Sequence, residues 1–430
     1  MPATSPPTLP PQLACEVPGP GSRALAERLR AVESRDTTCF TPGPPIFWER
    51  AAGANVWDVD GNRYVDLGGA FGVANVGHAH PRVVEAVRAQ SARLLHGMGD
   101  VHPSRVKVEL LEAIAARYPG GGAARSVLGS SGSDAVESAL ATAAIATGRA
   151  GVVAFEGGYH GLALGALDAT ARATFRRPFA DRLPGRTVFA RYGDAADARR
   201  VGRAAGFPIG AVLVEPIQGR GGERVPPEGF LRELRALCDR EGWLLICDEV
   251  YTGFGRTGRW FGCDHEGVVP DLLCLGKGLA SGMPVSACAG RAEVMDAWPP
   301  SRGEALRTQT FLGHPPSCAA ALASLAILEE EKLVERAAED GSAALALLEG
   351  ELAGHPGVRD VRGRGLMLGV ECDTPGRAAR AVGEALRRGV ILLPSGDDGR
   401  VLSITPPLPI GREPLGDALG ILIECLGPAA

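Results

Sequence analysis

Hydrophobic and polar positions along the chain fall into three regimes. From about residue 125 to 290, short apolar runs alternate with amphipathic stretches of helical period: SVLG, GVVAF, AVLVEPI, WLLICDEV and DLLCLGKG. Each run is too short for an ordinary helix and is bounded by Gly, Pro or Asp, which predicts buried strands joined by helices in a mainly parallel sheet. Before this block, PIFWERAAGANVWDVDGNRYVDLGGA places the Asp60-Gly61 turn between two short alternating runs, a hairpin pattern. FGVANVGHAHPRVVEAVRAQ then reads as a glycine-rich loop entering a helix through Pro81, and Arg105 to Tyr118 as a helix with Val106, Leu110, Leu111 and Ile114 on one face. After the block, Ser317 to Leu352 is one long Ala/Leu-rich helical pattern, followed by short strands and helices of a smaller α+β domain. At the start, Ala24 to Ser34 reads as a short helical arm.

Composition adds exclusions. In 430 residues the charged fraction is 22% and the formal net charge −5, with no basic stripe, which argues against nucleic acid. No apolar run reaches the roughly 18 residues needed to span a bilayer. The Pro-rich start, residues 1–22, lacks the pattern of a secretory signal and is expected to be a flexible tail. Ten scattered cysteines, several within apolar runs, point to a reducing cytoplasm.

Chemistry concentrates at strand ends. The run Leu244 to Cys247 ends on Asp248 and Glu249, and the run Leu272 to Leu275 ends on Lys277, so a carboxylate and an amine are expected over one crevice. Lysine is scarce: only Lys107, Lys277 and Lys332 occur, against 45 Lys and Arg together. Lys107 and Lys332 lie in charged helical patterns and are expected on solvated faces, whereas Lys277 stands between two glycines. In LGSSGSDAVESAL, Ser130, Ser131, Gly132 and Ser133 precede an Ala-rich helix, an arrangement that serves either as an anion cradle or as simple helix capping. EGGYHG puts Tyr159 and His160 on a turn after GVVAF, where an aromatic ring can stack on a planar cofactor or pack on the surface. His78 and His80 lack a third ligand and His160 has no neighbouring ligand in sequence, so no metal site is expected.

A phosphate cradle, an aromatic plate, an acid and a lysine together suit pyridoxal 5′-phosphate, which needs a lysine Schiff base, a carboxylate at its ring nitrogen and an anion site. Val250, two residues beyond Asp248, falls on the same side of the strand and is expected to pack under the ring.

From about residue 40 onward the chain resembles the class III, fold-type I aminotransferases, through WDVDGNRYVDL, GHAHPRVVEAV, SSGSDAVESAL, FEGGYHG, VEPIQGRGG, CDEVYTGFGRTG, PDLLCLGKG, TFLGHP and RGLMLGVE. The resemblance implies an α/β protein with a three-layer α/β/α large domain and a smaller α+β domain. It divides the chain into the tail, residues 23–75 and 312–430 as the two parts of the small domain, and 76–311 as the large domain. It also implies Lys277 as the Schiff-base lysine, Asp248 at the ring nitrogen, Tyr159 on the ring, and Gly132 with Ser133 at the phosphate. Ser131, His160, Glu215, Val250 and Tyr251 complete the implied cofactor set, and Thr310 resembles a threonine contributed to the partner's site in a homodimer.

The departures bear on substrate. Leu162 stands where 4-aminobutyrate members carry a carboxylate-binding arginine, Ser403 where 2-oxoglutarate members carry another, and Arg220 where those members place a neutralising glutamate. Arg220 or Arg400 is the expected replacement grip. The expected reaction is amino transfer from an amine or amino acid to a keto acid. A racemase or aminomutase of the same fold is the alternative, and a non-catalytic scaffold would require loss of Lys277 or Asp248.

Overall fold

The computed structural model describes residues 4–41 and 43–427. Its centre is a seven-stranded sheet in the order Ala124–Gly129, Ser286–Arg291, Leu272–Leu275, Leu244–Asp248, Ile209–Val214, Gly151–Phe155, Thr187–Ala190. The last five are mutually parallel, and Ser286–Arg291 runs antiparallel to both its neighbours. All five apolar runs are strands. The two strands missed in sequence, Thr187–Ala190 and Ser286–Arg291, lack a recognisable run: one is a four-residue edge and the other is Ser-, Ala- and Gly-rich.

Strand alternation builds the layers. Val152, Ala154, Ala211, Leu213, Ile246, Leu272 and Cys274 pack with Ala135, Val136 and Ala139 of the helix Gly132–Thr147. Their neighbours Val153, Phe155, Val212, Val214, Leu245, Cys247, Leu273 and Leu275 face the opposite side, with Phe230, Leu234 and Leu237 of the helix Phe230–Glu241. A sheet apolar on both faces must be covered on both, which gives the three-layer α/β/α arrangement.

Two smaller sheets flank it. The hairpin Asn55–Asp58 and Arg63–Asp66 forms as expected, extended by Trp48–Ala52, and Val390–Ile391 pairs in parallel with Arg63–Asp66. The second contains Val358–Arg364, Met367–Cys372, Val401–Ile404 and Leu393–Ser395. Arg256 locks this region to the loop after Leu244–Asp248. Its buried guanidinium donates to the carbonyls of Leu366 (2.9 Å) and Pro406 (2.5 Å) and to Asn75 Oδ1 (2.9 Å).

Several expectations need correction. Residues 4–22 are strapped to the protein rather than loose: Gln12 bridges Arg63, Ser5 Oγ donates to the Val76 carbonyl (2.8 Å) and Thr8 Oγ1 to that of Ile410 (2.7 Å). Extended Pro-rich backbone cannot satisfy its polar groups internally, so it satisfies them against a neighbour. Residues 1–3 of that segment lie outside the described residues. The arm helix is Pro20–Val32, starting earlier than the apolar pattern because Asp60 accepts from the free amides of Gly21 (2.6 Å) and Ser22 (2.9 Å). The long pattern at 317–352 is two helices, Pro315–Glu330 and Leu333–Glu351, parted at Lys332, whose φ of 51° is left-handed. Lys107 is half-buried rather than on a solvated face: Nζ donates to the Gly99 carbonyl (2.5 Å), and burial lowers its pKa.

Candidate active site

The carboxyl ends of Leu244–Asp248 and Leu272–Leu275, adjacent and parallel, open into a cavity of about 630 Å³. Ser131, Gly132, Ser133, Tyr159, His160, Glu215, Arg220, Asp248, Val250, Tyr251, Lys277 and Ser403 all line it. The neighbouring acids divide the work. Asp248 reaches the cavity, and its Oδ2 lies 2.8 Å from His160 Nδ1. Glu249 points into protein, where it accepts from the amides of Gly262 and Cys263 (both 2.8 Å) and from Thr252 Oγ1. Strand alternation sends consecutive side chains to opposite faces, so only one of the pair can serve the cavity.

Lys277 follows its strand after one glycine, in a left-handed conformation (φ 40°) that for a non-glycine residue is strained and held by its surroundings. Burial lowers its pKa to about 8, against the opposing charges of Asp248 and Glu215. Its Nζ sits 3.6 Å from the centre of the Tyr251 ring. Gly72 and Gly219 make room for that ring: a Cβ on either would fall within 2.8 Å and 2.6 Å of it, respectively. Glu215 accepts from the amides of Tyr159 (2.9 Å) and Gly219 (3.1 Å), and burial with the nearby Asp248 charge raises its pKa to about 7. Burial works against a charged His160, but the Asp248 hydrogen bond and the charges of Asp248 and Glu215 raise its pKa on balance.

The helix Gly132–Thr147 is capped at its start, and that start also faces the cavity. Ser131 caps it by accepting from the Asp134 amide (3.2 Å), and Asp134 Oδ2 accepts from the amides of Ser130 (2.9 Å) and Ser131 (3.1 Å). The next two residues, Gly132 and Ser133, line the cavity at the positive end of the helix dipole. Gly132 must be glycine there, since a Cβ would meet Val250 Cγ1 at 2.9 Å.

Other expected residues lie elsewhere. Leu162 is exposed and off the cavity; only its amide takes part, donating to Ser133 Oγ (3.2 Å). Arg400 is tied to Asp398 at the surface. Thr310 is exposed and does not line this chain's cavity, although the same segment touches the helix Gly132–Thr147 through Arg307, whose Nε donates to Ser138 Oγ (2.9 Å). Ser403 does not meet Arg220; it donates to Glu223 Oε1 (2.6 Å). Cys39, Phe71, Glu223, Leu393, Pro394 and Ser395 line the cavity without having been singled out. Phe71 had a signal: it stands among Gly68, Gly69 and Gly72, and its φ is 62°. Glu223 and Ser395 had none, because fold contacts alone bring them together.

A cavity with a helix start in its wall, a glycine there whose Cβ would crowd Val250, a carboxylate bonded to a buried histidine and a lysine of lowered pKa fits pyridoxal phosphate. The sequence profile of aminotransferase class-III matches residues 41–426. The chain belongs to that family. It is 38% identical over 444 residues to a 4-aminobutyrate aminotransferase of Mycobacterium leprae, covering 97% of this chain and 98% of the relative. With an acetylornithine aminotransferase of Methanopyrus kandleri it shares 42% identity over 382 residues, covering 89% and 94%. Its fold matches the ornithine aminotransferase of Toxoplasma gondii, solved with pyridoxal phosphate at partial occupancy in its active site, at a TM-score of 0.86, 31% identity and 94% coverage of each chain. The class III aminotransferase described here is therefore a pyridoxal-phosphate enzyme of fold type I. Among its described residues no helix is long and apolar enough to cross a membrane.

Proposed function

We propose that Lys277 and Asp248 carry the amino transfer of this enzyme, with Gly132 and Ser133 at the cofactor's phosphate. The observation that supports it best is the placement of Lys277 and Asp248 at the ends of adjacent parallel strands, facing one cavity. When bound, the cofactor supplies an aldehyde that condenses with amines and a pyridine ring that accepts electrons. Asp248 would face the ring nitrogen, its carboxylate fixed by His160 on one oxygen and by the Val250 amide on the other (3.1 Å). Val250, Tyr159 and Tyr251 line the same cavity and would hold the ring, Val250 and Tyr159 by packing against it and Tyr251 through its hydroxyl.

Lys277 acts as base and acid. In the cofactor-free protein burial lowers its pKa to about 8, so the amine gives up its proton more readily than an ordinary lysine. The neutral amine takes a proton from the substrate carbon and the ammonium returns it elsewhere, so one residue serves both directions.

Arg220, whose guanidinium lies 5.3 Å over the Tyr159 ring and 5.7 Å over Phe175, is the carboxylate grip for the keto acid. The relatives named for 4-aminobutyrate and acetylornithine support donors with an amine on an extended chain. We place the enzyme in the cytoplasm as a homodimer, with Thr310 reaching the partner's phosphate site; free cysteines and the exposure of Thr310 support this. The test is spectroscopic. Amine alone should convert the cofactor to its amine form, and a keto acid should restore it; retention of the aldehyde form with solvent exchange of the substrate's α-hydrogen would show a racemase. In the same assay Arg220→Gln should raise KM for the keto acid, and unchanged kinetics would remove Arg220 from the account.

A further inference from the structure

The substrate wall of the cavity carries a negative group where a carboxylate-binding one was expected. Glu223 is 1% exposed, lines the cavity, and is bonded by two hydroxyls: Ser395 Oγ donates to Oε2 and Ser403 Oγ to Oε1, both at 2.6 Å. The three come from separate segments: the loop after Ile209–Val214, the strand Leu393–Ser395 and the strand Val401–Ile404.

The backbone is shaped to aim this acid inward. Glu223 has a left-handed φ of 47°, a conformation that costs about 1–2 kcal/mol outside glycine. Gly369 leaves the space beside it: a Cβ there would lie 3.0 Å from that of Glu223. Its loop is pinned to the segment that carries Ser395, since the Gly396 amide donates to the Arg220 carbonyl (3.0 Å).

Among the described residues no cation pairs with Glu223, and Arg362, the arginine whose charge it feels, is committed to Asp360, Glu371 and the Gly222 carbonyl. A buried carboxylate with hydroxyl partners alone is under-compensated. Burial accordingly raises its pKa to about 7. Each carboxylate oxygen keeps acceptor capacity beyond its serine.

We propose that Glu223, held by Ser395 and Ser403, is a specificity-determining residue that accepts the far ammonium of an α,ω-diamine donor. This rests on the aminotransferase reading of the cavity. The near amine goes to the cofactor beside Lys277, the methylene chain crosses the cavity, and the far ammonium supplies the missing positive charge. A far carboxylate meets like charge at the same place and is disfavoured.

The experiment uses the holoenzyme with a set of α,ω-diamines, n-alkylamines and ω-amino acids of matching length, following conversion of the cofactor and steady-state rates. For the wild type, kcat/KM for the best diamine should exceed that of the matching alkylamine by about tenfold or more, the scale of a hydrogen bond to a charged group. Glu223→Gln should reduce that diamine-to-alkylamine ratio about tenfold, mainly through KM, and should narrow the gap to the ω-amino acid. Ser403→Ala and Ser395→Ala should each reduce it by less, and they carry the test if Glu223→Gln does not fold. A wild type that prefers the ω-amino acid, or variants that lower all donor classes alike, would overturn the inference while leaving an aminotransferase. Failure of every amine to convert the cofactor would overturn both.

Discussion

His160 holds Asp248 from within the protein: its Nδ1 is 2.8 Å from the carboxylate, and the two residues are 3% and 4% exposed. The histidine backbone is itself fixed by Thr170 Oγ1, which accepts from its amide (2.9 Å). Asp248 is therefore held in one orientation at the cavity. Asp248→Asn keeps the shape and removes the charge, so kcat should fall by about 10²–10³-fold, the scale of losing a preorganised electrostatic partner. Circular dichroism should remain that of the wild type. Wild-type kcat in this variant would take Asp248 out of the mechanism.

Glu249 offers the contrast. It is fully buried and accepts from two amides and a hydroxyl. Glu249→Gln forces an amide NH₂ against one of those donors in either orientation. A loss of about 2 kcal/mol in stability is expected from the stranded donor, with little change in the cofactor's absorbance. A large spectral change at unaltered stability would contradict this division of roles.

The lowered pKa of Lys277 has a stability consequence with a definite sign. The unfolded chain holds the proton up to about pH 10.5, whereas the folded, cofactor-free protein releases it near pH 8. The folded state is thus penalised, in full below pH 8 and not at all above about 10.5. Lys277→Met should stabilise the cofactor-free protein at pH 7 by about 2 kcal/mol, a discounted share of the shift at about 1.4 kcal/mol per pH unit. The gain should shrink as pH rises through 8 to 10, which paired thermal melts would show. A pH-independent gain would mean that packing, not protonation, is responsible.

Gly132 and Val250 compete for one space, with 2.9 Å left for an added Cβ. Gly132→Ala should displace the cradle amides or Val250 at a cost of about 1–3 kcal/mol, raising the cofactor's Kd roughly tenfold. Val250→Ala in the same chain should recover most of that loss. If the double variant binds no better than the single one, the clash is not the cause.

Much of this was legible in the sequence because parallel strands leave a local signature. Apolar runs closed by Gly or Asp located five of the seven central strands, and their ends located Asp248 and Lys277. The run Ser130 to Ser133 also marked a helix start, which the structure places at the cavity. What stayed hidden depends on contacts distant in sequence. Glu223 gains its meaning from Ser395 and Ser403, 172 and 180 residues away, and Arg256 from carbonyls at 366 and 406. Leu162, singled out because it stands where the family carries an arginine, and Arg400 do not line this chain's cavity: one is exposed and the other pairs with Asp398. Residues 4–22 looked loose because extended Pro-rich chain shows no period, and their partners at 63, 76 and 410 are invisible along it.

Three lysines make the central claim open to one direct measurement. Borohydride reduction of the holoenzyme fixes the cofactor to the amine that holds it, and peptide mass spectrometry then reads the site. The pyridoxyl group should appear on the peptide containing Lys277 and be absent after Lys277→Ala. A modified Lys107 or Lys332, or a reduced holoenzyme with no lysine adduct, would contradict the assignment of Lys277.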